Sequence, residues 1–365
     1  MKEQEFKILQ VISRLDPGGA ERVFVDICNM LTKKNHKIVA MFTRDIGTLA
    51  DQLDSNIKII SLKRKWKFSL FSVIKVLVII NKFDIIHIHS RHAFMFIKII
   101  SLLFPFKKYN LILHDHYGKI EINKSVPFFL KVFSKNFTYL GVSSDLTTWA
   151  KDVVKIKNKN IFNLYNIRFI DQKKIQKNFN EKFENKDIIK YVLVSNIHPV
   201  KNIEFSIELF YHLKKQRKSS LTIYGNKSDI KYFLFLKKII NNLKLNDSVK
   251  FIFNEKNIPS ILNQFDFGLY SSKSESGPLV LIEYLSQGLP FLSFKTGQVA
   301  SQISNIYPEL FIENFNLSEW THKINNLHSL SQNEKKDFIK TYNELYSPDN
   351  YYEKLVNIYN SLLGL

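Results

Sequence analysis

The 365-residue sequence predicts two α/β domains in tandem, each a doubly wound parallel sheet. Three observations lead there. The chain is longer than the roughly 100–200 residues of a usual domain. Short apolar runs alternate with longer helical patterns, and the runs are almost continuously apolar, as strands buried on both faces are. The alternation breaks at a Lys/Asn-rich interval and then restarts. The expected organisation is a first domain over 1–170, a linker over 171–187, and a second domain over 188–349, with a C-terminal helix at 350–365 rejoining the first.

The elements follow in order. Phe6–Ile12 reads as a buried strand, Glu21–Thr32 as a helix, and Lys37–Phe42 and Lys58–Leu62 as strands. A helix over 68–81 comes next, then strands at Asp84–His89, Asn110–His114 and Tyr139–Val142. After the interval, Lys190–Ser195, Ser220–Tyr224, Val249–Phe253, Phe267–Tyr270 and Pro290–Phe294 read as strands. Helices are expected at Ile203–Lys215, Asp229–Leu243, Asn257–Gln264 and Pro278–Gln287. In Asn350–Leu363, Tyr351, Leu355, Ile358, Tyr359 and Leu362 fall near helical spacing, so this helix must bury a face. Ligands of doubly wound sheets bind beyond the carboxyl ends of the strands, so two such domains facing each other offer a cleft.

At 45% apolar and 14% aromatic residues the chain is no disordered tail. The lone Cys28 excludes an intramolecular disulfide and a cysteine-based metal cluster, and fits a reducing cytoplasm. The net charge of +20 is uneven: residues 1–165 hold 27 basic and 13 acidic side chains, the remainder 26 and 20. Two apolar stretches, Phe68–Ile80 and Ala93–Phe106, lie in the basic part. Both are shorter than the ~20 residues that span a bilayer. Lys63, Arg64, Lys65 and Lys67 precede the first and Lys107 and Lys108 follow the second, a pattern of interfacial helices on an anionic leaflet, although core helices with solvated ends show it too. The polar N-terminus and short Ile8–Ile12 run do not make a signal peptide.

Several stretches carry candidate chemistry. Gly18 and Gly19 stand between the first strand and first helix, where close backbone approach and free amides suit a phosphate. No GxGxxG can be drawn, which argues against a nicotinamide-dependent oxidoreductase. Lys201 follows the first strand of the second domain and is placed to neutralise a diphosphate. Gly225 ends another strand. Glu275 sits in a Ser/Gly/Pro turn, and Glu283 lies in the next helix among Leu281, Ile282 and Leu285. A carboxylate on an apolar helix face needs hydrogen-bond donors, such as sugar hydroxyls.

With these motifs in order, the chain resembles a family 4 glycosyltransferase of the GT-B type. The resemblance rests on Gly18–Glu21, Asp84–Ser90, His114-Asp115-His116, Val142-Ser143-Ser144, Tyr165-Asn166 and His198–Asn202. Its most specific part is the pair Glu275 and Glu283, seven residues between them, with Gly288-Leu289-Pro290 behind. The resemblance implies two Rossmann-like domains facing a central cleft, the first binding the acceptor and the second the nucleotide-sugar. It implies a retaining hexosyl or N-acetylhexosaminyl transferase, with no metal and no cofactor. Lys201 would then bind the diphosphate, Glu283 the ribose and Glu275 the sugar hydroxyls. Gly18, Gly19, Asn196, Gly225, Ser276, Gly277, Pro278, Leu279 and Val280 would line the donor. A histidine at 114 or 116 would face the reacting sugar, and His116 is favoured as nearer the loop.

Two positions depart from the family pattern. Ser195-Asn196 replaces Gly-Arg, removing one diphosphate cation, for which Lys273 or Lys295 are candidate substitutes. Ser301 stands near a usual glutamate. A catalytically weakened subunit acting as a binding partner is the alternative these changes raise. His87, His89 and His92 invite a metal reading, but 87 and 89 alternate with isoleucines in a strand, where a structural role is expected. No nucleic-acid signature accompanies the charge. The expected partners are a nucleotide-sugar (a UDP-sugar), a glycan acceptor carried on a lipid, and an anionic membrane surface. The expected place is the cytoplasm, peripheral on the inner face of the cell membrane.

Overall fold

The structure is a computed structural model and describes residues 5–64, 70–104, 107–170, 187–328, 330 and 332–365. The chain divides into two compact units, Met1–Ile167 with Pro348–Leu365, and Arg168–Ser347. The linker expected at 171–187 lies outside the described residues except for Asp187, as do Lys65 and Lys67.

The first unit is built on seven parallel strands: β1 (Lys7–Ile12), β2 (Lys37–Phe42), β3 (Lys58–Ser61), β4 (Ile85–Ile88), β5 (Leu111–Asp115), β6 (Thr138–Gly141) and β7 (Ile161–Asn163). They run in the order β3-β2-β1-β4-β5-β6-β7. The connecting helices are α1 (Gly19–Lys33), α2 (Leu70–Ile80), α3 (Arg91–Leu102), α4 (Phe128–Val132) and α5 (Ser144–Asp152). Because side chains alternate along a strand, each face has its own set. Leu9, Val11, Ile86, Ile88, Leu111 and Leu113 pack into one core with side chains of α2, α3 and α5. Gln10, His87, His89 and His114 take the opposite parity.

The second unit has six parallel strands: β8 (Ile189–Val194), β9 (Ser219–Tyr224), β10 (Val249–Ile252), β11 (Phe267–Tyr270), β12 (Phe291–Phe294) and β13 (Phe311–Ile312). Their order is β10-β9-β8-β11-β12-β13. Its helices are α6 (Ile203–Gln216), α7 (Ile230–Asn242), α8 (Ile258–Ile261), α9 (Leu279–Ser286), α10 (Gly297–Ser304), α11 (Leu317–Leu327) and α12 (Gln332–Leu345). All eight residues of α9 are buried. Tyr284 in that helix stands over Gly268 of β11, where a Cβ would come within 2.7 Å of its ring.

The last helix, α13 (Pro348–Leu363), belongs to the first unit. Tyr352 OH lies 2.9 Å from His36 Nε2, and Tyr359 OH lies 2.8 Å from His87 Nδ1. Fully burying an aromatic side chain contributes about 1.5–3 kcal/mol, so Tyr351, Tyr352, Leu355 and Tyr359 make α13 an integral layer of that unit. The boundary before the second unit falls at Arg168, three residues ahead of the expected linker. Tyr342 of α12 explains it: its hydroxyl donates to the Arg168 carbonyl at 2.9 Å and accepts from the Ile170 amide at 3.0 Å.

Candidate functional site

In the second unit the functional loops leave the carboxyl ends of the strands. After β8 the chain makes a short 3₁₀ turn, Pro199–Lys201, capped by His198, whose Nδ1 accepts from the Val200 amide at 3.2 Å. Asn202 adopts a left-handed conformation (φ 52°) before α6, and Ser271 donates to its carbonyl at 2.9 Å. This corner delivers the Lys201 ammonium to Oε1 of Glu275. Tyr270 OH donates to the same oxygen at 2.5 Å and Ser272 Oγ at 3.1 Å. Burial pushes the Tyr270 hydroxyl far above its ordinary pKa, so it stays protonated and can only donate to the carboxylate. The second carboxylate oxygen stands outside this group of donors.

Neighbouring loops clamp the turn that carries Glu275. The Lys273 amide donates to the Val200 carbonyl at 2.8 Å on one side. On the other, the Glu275 amide donates to Thr296 Oγ1 at 3.1 Å and the Gln298 amide to the Ser276 carbonyl at 2.9 Å. Gly297 permits this contact: its φ is +78°, and a Cβ there would lie 2.8 Å from the Glu275 carbonyl. Beyond Gly277, Pro278 opens α9, and Leu279 and Val280 form its first turn, whose amides no side chain caps. Anions and hydroxyls are favoured at such an end.

Glu283, one turn further, is 3% exposed, as a carboxylate on an apolar helix face would be. Its donor in the structure is Arg168, whose Nε lies 3.0 Å from Oε1, with both side chains under 10% exposed. A buried carboxylate without such a partner would carry a desolvation cost of several kcal/mol.

The other expected donor residues have partners within the chain. Gly225 is glycine because the Ser195 carbonyl occupies the position of a Cβ; its open side is filled by the chain itself. Asn196 ties two loops together, its Oδ1 accepting from the Asn226 amide at 3.2 Å. Lys295 pairs with Glu313 at 2.9 Å and Lys273 stands 3.8 Å from Glu204, so each candidate substitute for the missing arginine faces another carboxylate. Ser301 is exposed on α10 and its hydroxyl donates to the Gly297 carbonyl.

In the first unit, Gly18 caps α1 and Gly19 begins it. The side of Gly18 expected to face a ligand is covered by the Glu21 carboxyl, which lies where a Cβ would go. Burial and the charge of Asp16 raise Glu21 to about 7, close to half-protonated at neutral pH. At the other strand ends four histidines stack. His87 and His89 extend along and just past β4, His114 lies inside β5, and His116 follows it; the ring centroids of His114 and His116 are 4.2 Å apart. Burial holds all four neutral, with His87 down to about 3 and His116 to about 4. Asp115 between the last two receives a bidentate Arg91 (2.6–3.1 Å) and the Tyr139 hydroxyl (2.7 Å), which fixes the end of β5.

His92 is exposed on α3, so the histidine that joins His87 and His89 is His114. Their ring nitrogens lie within 4.8 Å of one another. Ligand nitrogens of tetrahedral zinc stand about 3.3 Å apart, given Zn–N bonds of about 2.0–2.1 Å. The facing nitrogens of His87 and His114 are 3.1 Å apart as a hydrogen bond, and those of His89 are engaged by Gln10 and His116. The group is a hydrogen-bonded array.

Residues 17–141 match the family described as Glycosyltransferase Family 4, and residues 173–344 match Glycosyl transferases group 1. The capsular polysaccharide biosynthesis glycosyltransferase CapH of Staphylococcus aureus is 30% identical over 293 residues, covering 76% of this chain and 78% of that protein. The chain belongs to the family 4 glycosyltransferases. Solved structures agree on the GT-B fold. HepE from Anabaena, in complex with UDP and glucose, superposes with a TM-score of 0.77 at 16% identity, covering 97% of this chain and 99% of that one. A mutant of S. aureus TarM, in complex with UDP and a glycan, gives 0.75 at 14% identity over 97% and 100%.

Four residues that shape the sites of this glycosyltransferase carry no motif. Arg168 is 115 residues from the glutamate it serves. Tyr270 ends a strand, and that position was the available signal. Gln10 is the one polar residue among the five buried positions of the strand Lys-Ile-Leu-Gln-Val-Ile, an anomaly visible in the sequence. Tyr359 reads as an ordinary apolar position of an amphipathic helix.

Proposed function

We propose that this glycosyltransferase moves a hexosyl or N-acetylhexosaminyl group from a UDP-sugar to a lipid-borne glycan, retaining the anomeric configuration, in the assembly of a bacterial surface polysaccharide such as capsule or O-antigen. The observation that carries the reading is the convergence of Lys201, Tyr270 and Ser272 on one oxygen of Glu275, in the turn that leads into α9 and its Leu279 and Val280 amides. Lys201 supplies the cation for a departing diphosphate, and the α9 amides add positive potential without a metal. Glu275, held rigidly by three donors, offers its other oxygen to a sugar hydroxyl. Glu283, oriented by Arg168, accepts from the ribose. The bond from the anomeric carbon to the phosphate oxygen breaks while the acceptor oxygen bonds to that carbon from the same face, and the acceptor proton passes to the leaving phosphate. CapH supports a capsule-type product, and HepE supports UDP as the nucleotide.

The test is a panel of nucleotide-sugars scored by thermal shift and nucleoside diphosphate release. One UDP-sugar is expected to stabilise the protein and be turned over, and Lys201→Ala to lower turnover roughly 100-fold, as loss of a transition-state electrostatic contact does. No stabilisation by any donor, with Glu283→Ala silent, rejects the assignment.

The same reading places the first unit on the membrane. None of its described helices is long and apolar enough to cross a bilayer. The layer formed by α2, α3 and α4 nevertheless exposes Ile74, Val78, Leu103, Phe104, Phe128 and Val132, with Phe128 80% exposed. Lys107 and Lys131 stand beside them, a composition suited to anionic headgroups over acyl chains. Sedimentation with anionic but not neutral vesicles at low salt is expected, weakened by Phe128→Asp; indifference to anionic vesicles removes the membrane from the reading.

A further inference from the structure

The histidine array has a direction, and one amide sets it. Gln10 Oε1 lies 2.9 Å from His89 Nε2; a carbonyl oxygen can only accept, so His89 carries its proton on Nε2. Neutral His89 then has a bare Nδ1, which faces His116 Nε2 at 3.4 Å, and His116 is the donor there. On the other arm the Gln10 amide nitrogen faces His87 Nδ1 at 3.5 Å. The Tyr359 hydroxyl, kept protonated by burial, donates to the same Nδ1 at 2.8 Å. His87 therefore carries its proton on Nε2 and donates to His114 Nδ1 at 3.1 Å.

Both arms start at Gln10 and end at rings 4.2 Å apart. At those ends, His114 Nε2 and His116 Nδ1 are buried with no hydrogen-bond partner within 3.5 Å among the described residues, and the Asn166 side chain is a further group that interacts with His116. By the chain of donors, the first is an N–H and the second a bare lone pair. Turning the Gln10 amide over would reverse the His89–His116 arm, while the Tyr359 hydroxyl would still hold the His87–His114 arm.

We propose that Gln10 is a positioning residue which, with Tyr359, sets the tautomers of all four histidines and so decides that His116 offers a bare Nδ1, and His114 an N–H, at the end of β5. Such a pair matches a hydroxyl group, which can donate to one nitrogen while accepting from the other. The catalytic meaning rests on the reading of His116 as the imidazole beside the transferred sugar: an acceptor hydroxyl or sugar hydroxyl would be oriented there by a fixed donor and a fixed acceptor. Gln10 itself touches no substrate and acts through His89.

The full chain, labelled with ¹⁵N-histidine, tests this at pH 7.5 by long-range proton–nitrogen correlation. All four array histidines are expected as the Nε2–H tautomer with a bare Nδ1. Tyr359→Phe is expected to disturb His87 and His114 alone. Gln10→Met, similar in shape but without the amide, is expected to release the tautomer of His116 and to lower turnover about tenfold at unchanged donor KM. A wild-type His116 protonated on Nδ1 overturns the proposal, as does a His116 tautomer unchanged in Gln10→Met. Absence of turnover with every nucleotide-sugar would instead defeat the glycosyl-transfer reading, and the tautomer spectrum would still decide the role of Gln10.

Discussion

The two units place their functional residues at equivalent strand ends and equip them oppositely. The first gathers four imidazoles that burial keeps uncharged, relayed through an amide and a phenol. The second gathers full charges, Lys201 with Glu275 and Arg168 with Glu283, each neutralised by its partner. A neutral array orients hydrogen bonds without attracting ions, whereas paired charges hold a carboxylate ready for hydroxyls beside a cation ready for phosphate. The division fits the proposed reaction, in which one substrate would bring hydroxyl groups and the other a diphosphate.

Acid breaks the comparison most strongly. The four histidines have folded pKa values below the ordinary value near 6.5, so their contribution is complete above that pH and is lost as the unfolded chain takes up protons below it. Each histidine loses about 1.4 kcal/mol per pH unit until its folded pKa is reached, so by pH 5 the array costs several kcal/mol. Hydrogen exchange should show β4 and β5 losing protection between pH 6.5 and 5 while β11 keeps it. Equal loss in both sheets contradicts the contrast.

Removal of a charge breaks it the other way. Arg168→Met strands Glu283 in an apolar helix and is expected to destabilise the protein by about 3–5 kcal/mol in urea unfolding, with most of the loss recovered in Arg168→Met/Glu283→Leu. A loss under 1 kcal/mol would show that Glu283 does not depend on its partner. The smallest effect sharpens the first site. Glu21 is raised to about 7, so its contribution is full below about 4.5 and is lost as pH rises through 7. After a discount for its partial exposure, Glu21→Gln should stabilise by ~1 kcal/mol at pH 8 and by nothing at pH 4, read as Tm against pH.

Most of the fold was legible because its strands are apolar runs bounded by polar turns. β2 and β11 have the bounds expected from sequence, and other long strands differ by a residue or two. β7 and β13, three and two residues long, are too short to show a period, and the five-residue α4 likewise. The expected Asn257–Gln264 helix tightens after one turn into 3₁₀ geometry. At the site, Lys201 and Glu275 were legible as motif residues, and the structure brings them together. Arg168 was not, because an ion pair across 115 residues leaves no local pattern. The glycines signalled close approach without naming its partner: in the Cβ direction of Gly18 and Gly225 stand the Glu21 carboxyl and the Ser195 carbonyl. A requirement for space does not say what fills it.

The return of α13 to the first unit has a consequence for how the protein is made. The ribosome completes Arg168–Ser347 before it supplies the helix that covers His36 and His87. Until Pro348–Leu365 emerges, the nascent first unit lacks the layer that bears Tyr351, Tyr352 and Tyr359, and His87 lacks the Tyr359 hydroxyl. Although domains commonly mature from the N-terminus onward during synthesis, here the earlier-translated unit must finish last. The helix that closes the first unit's sheet is supplied only after the whole second unit has been made.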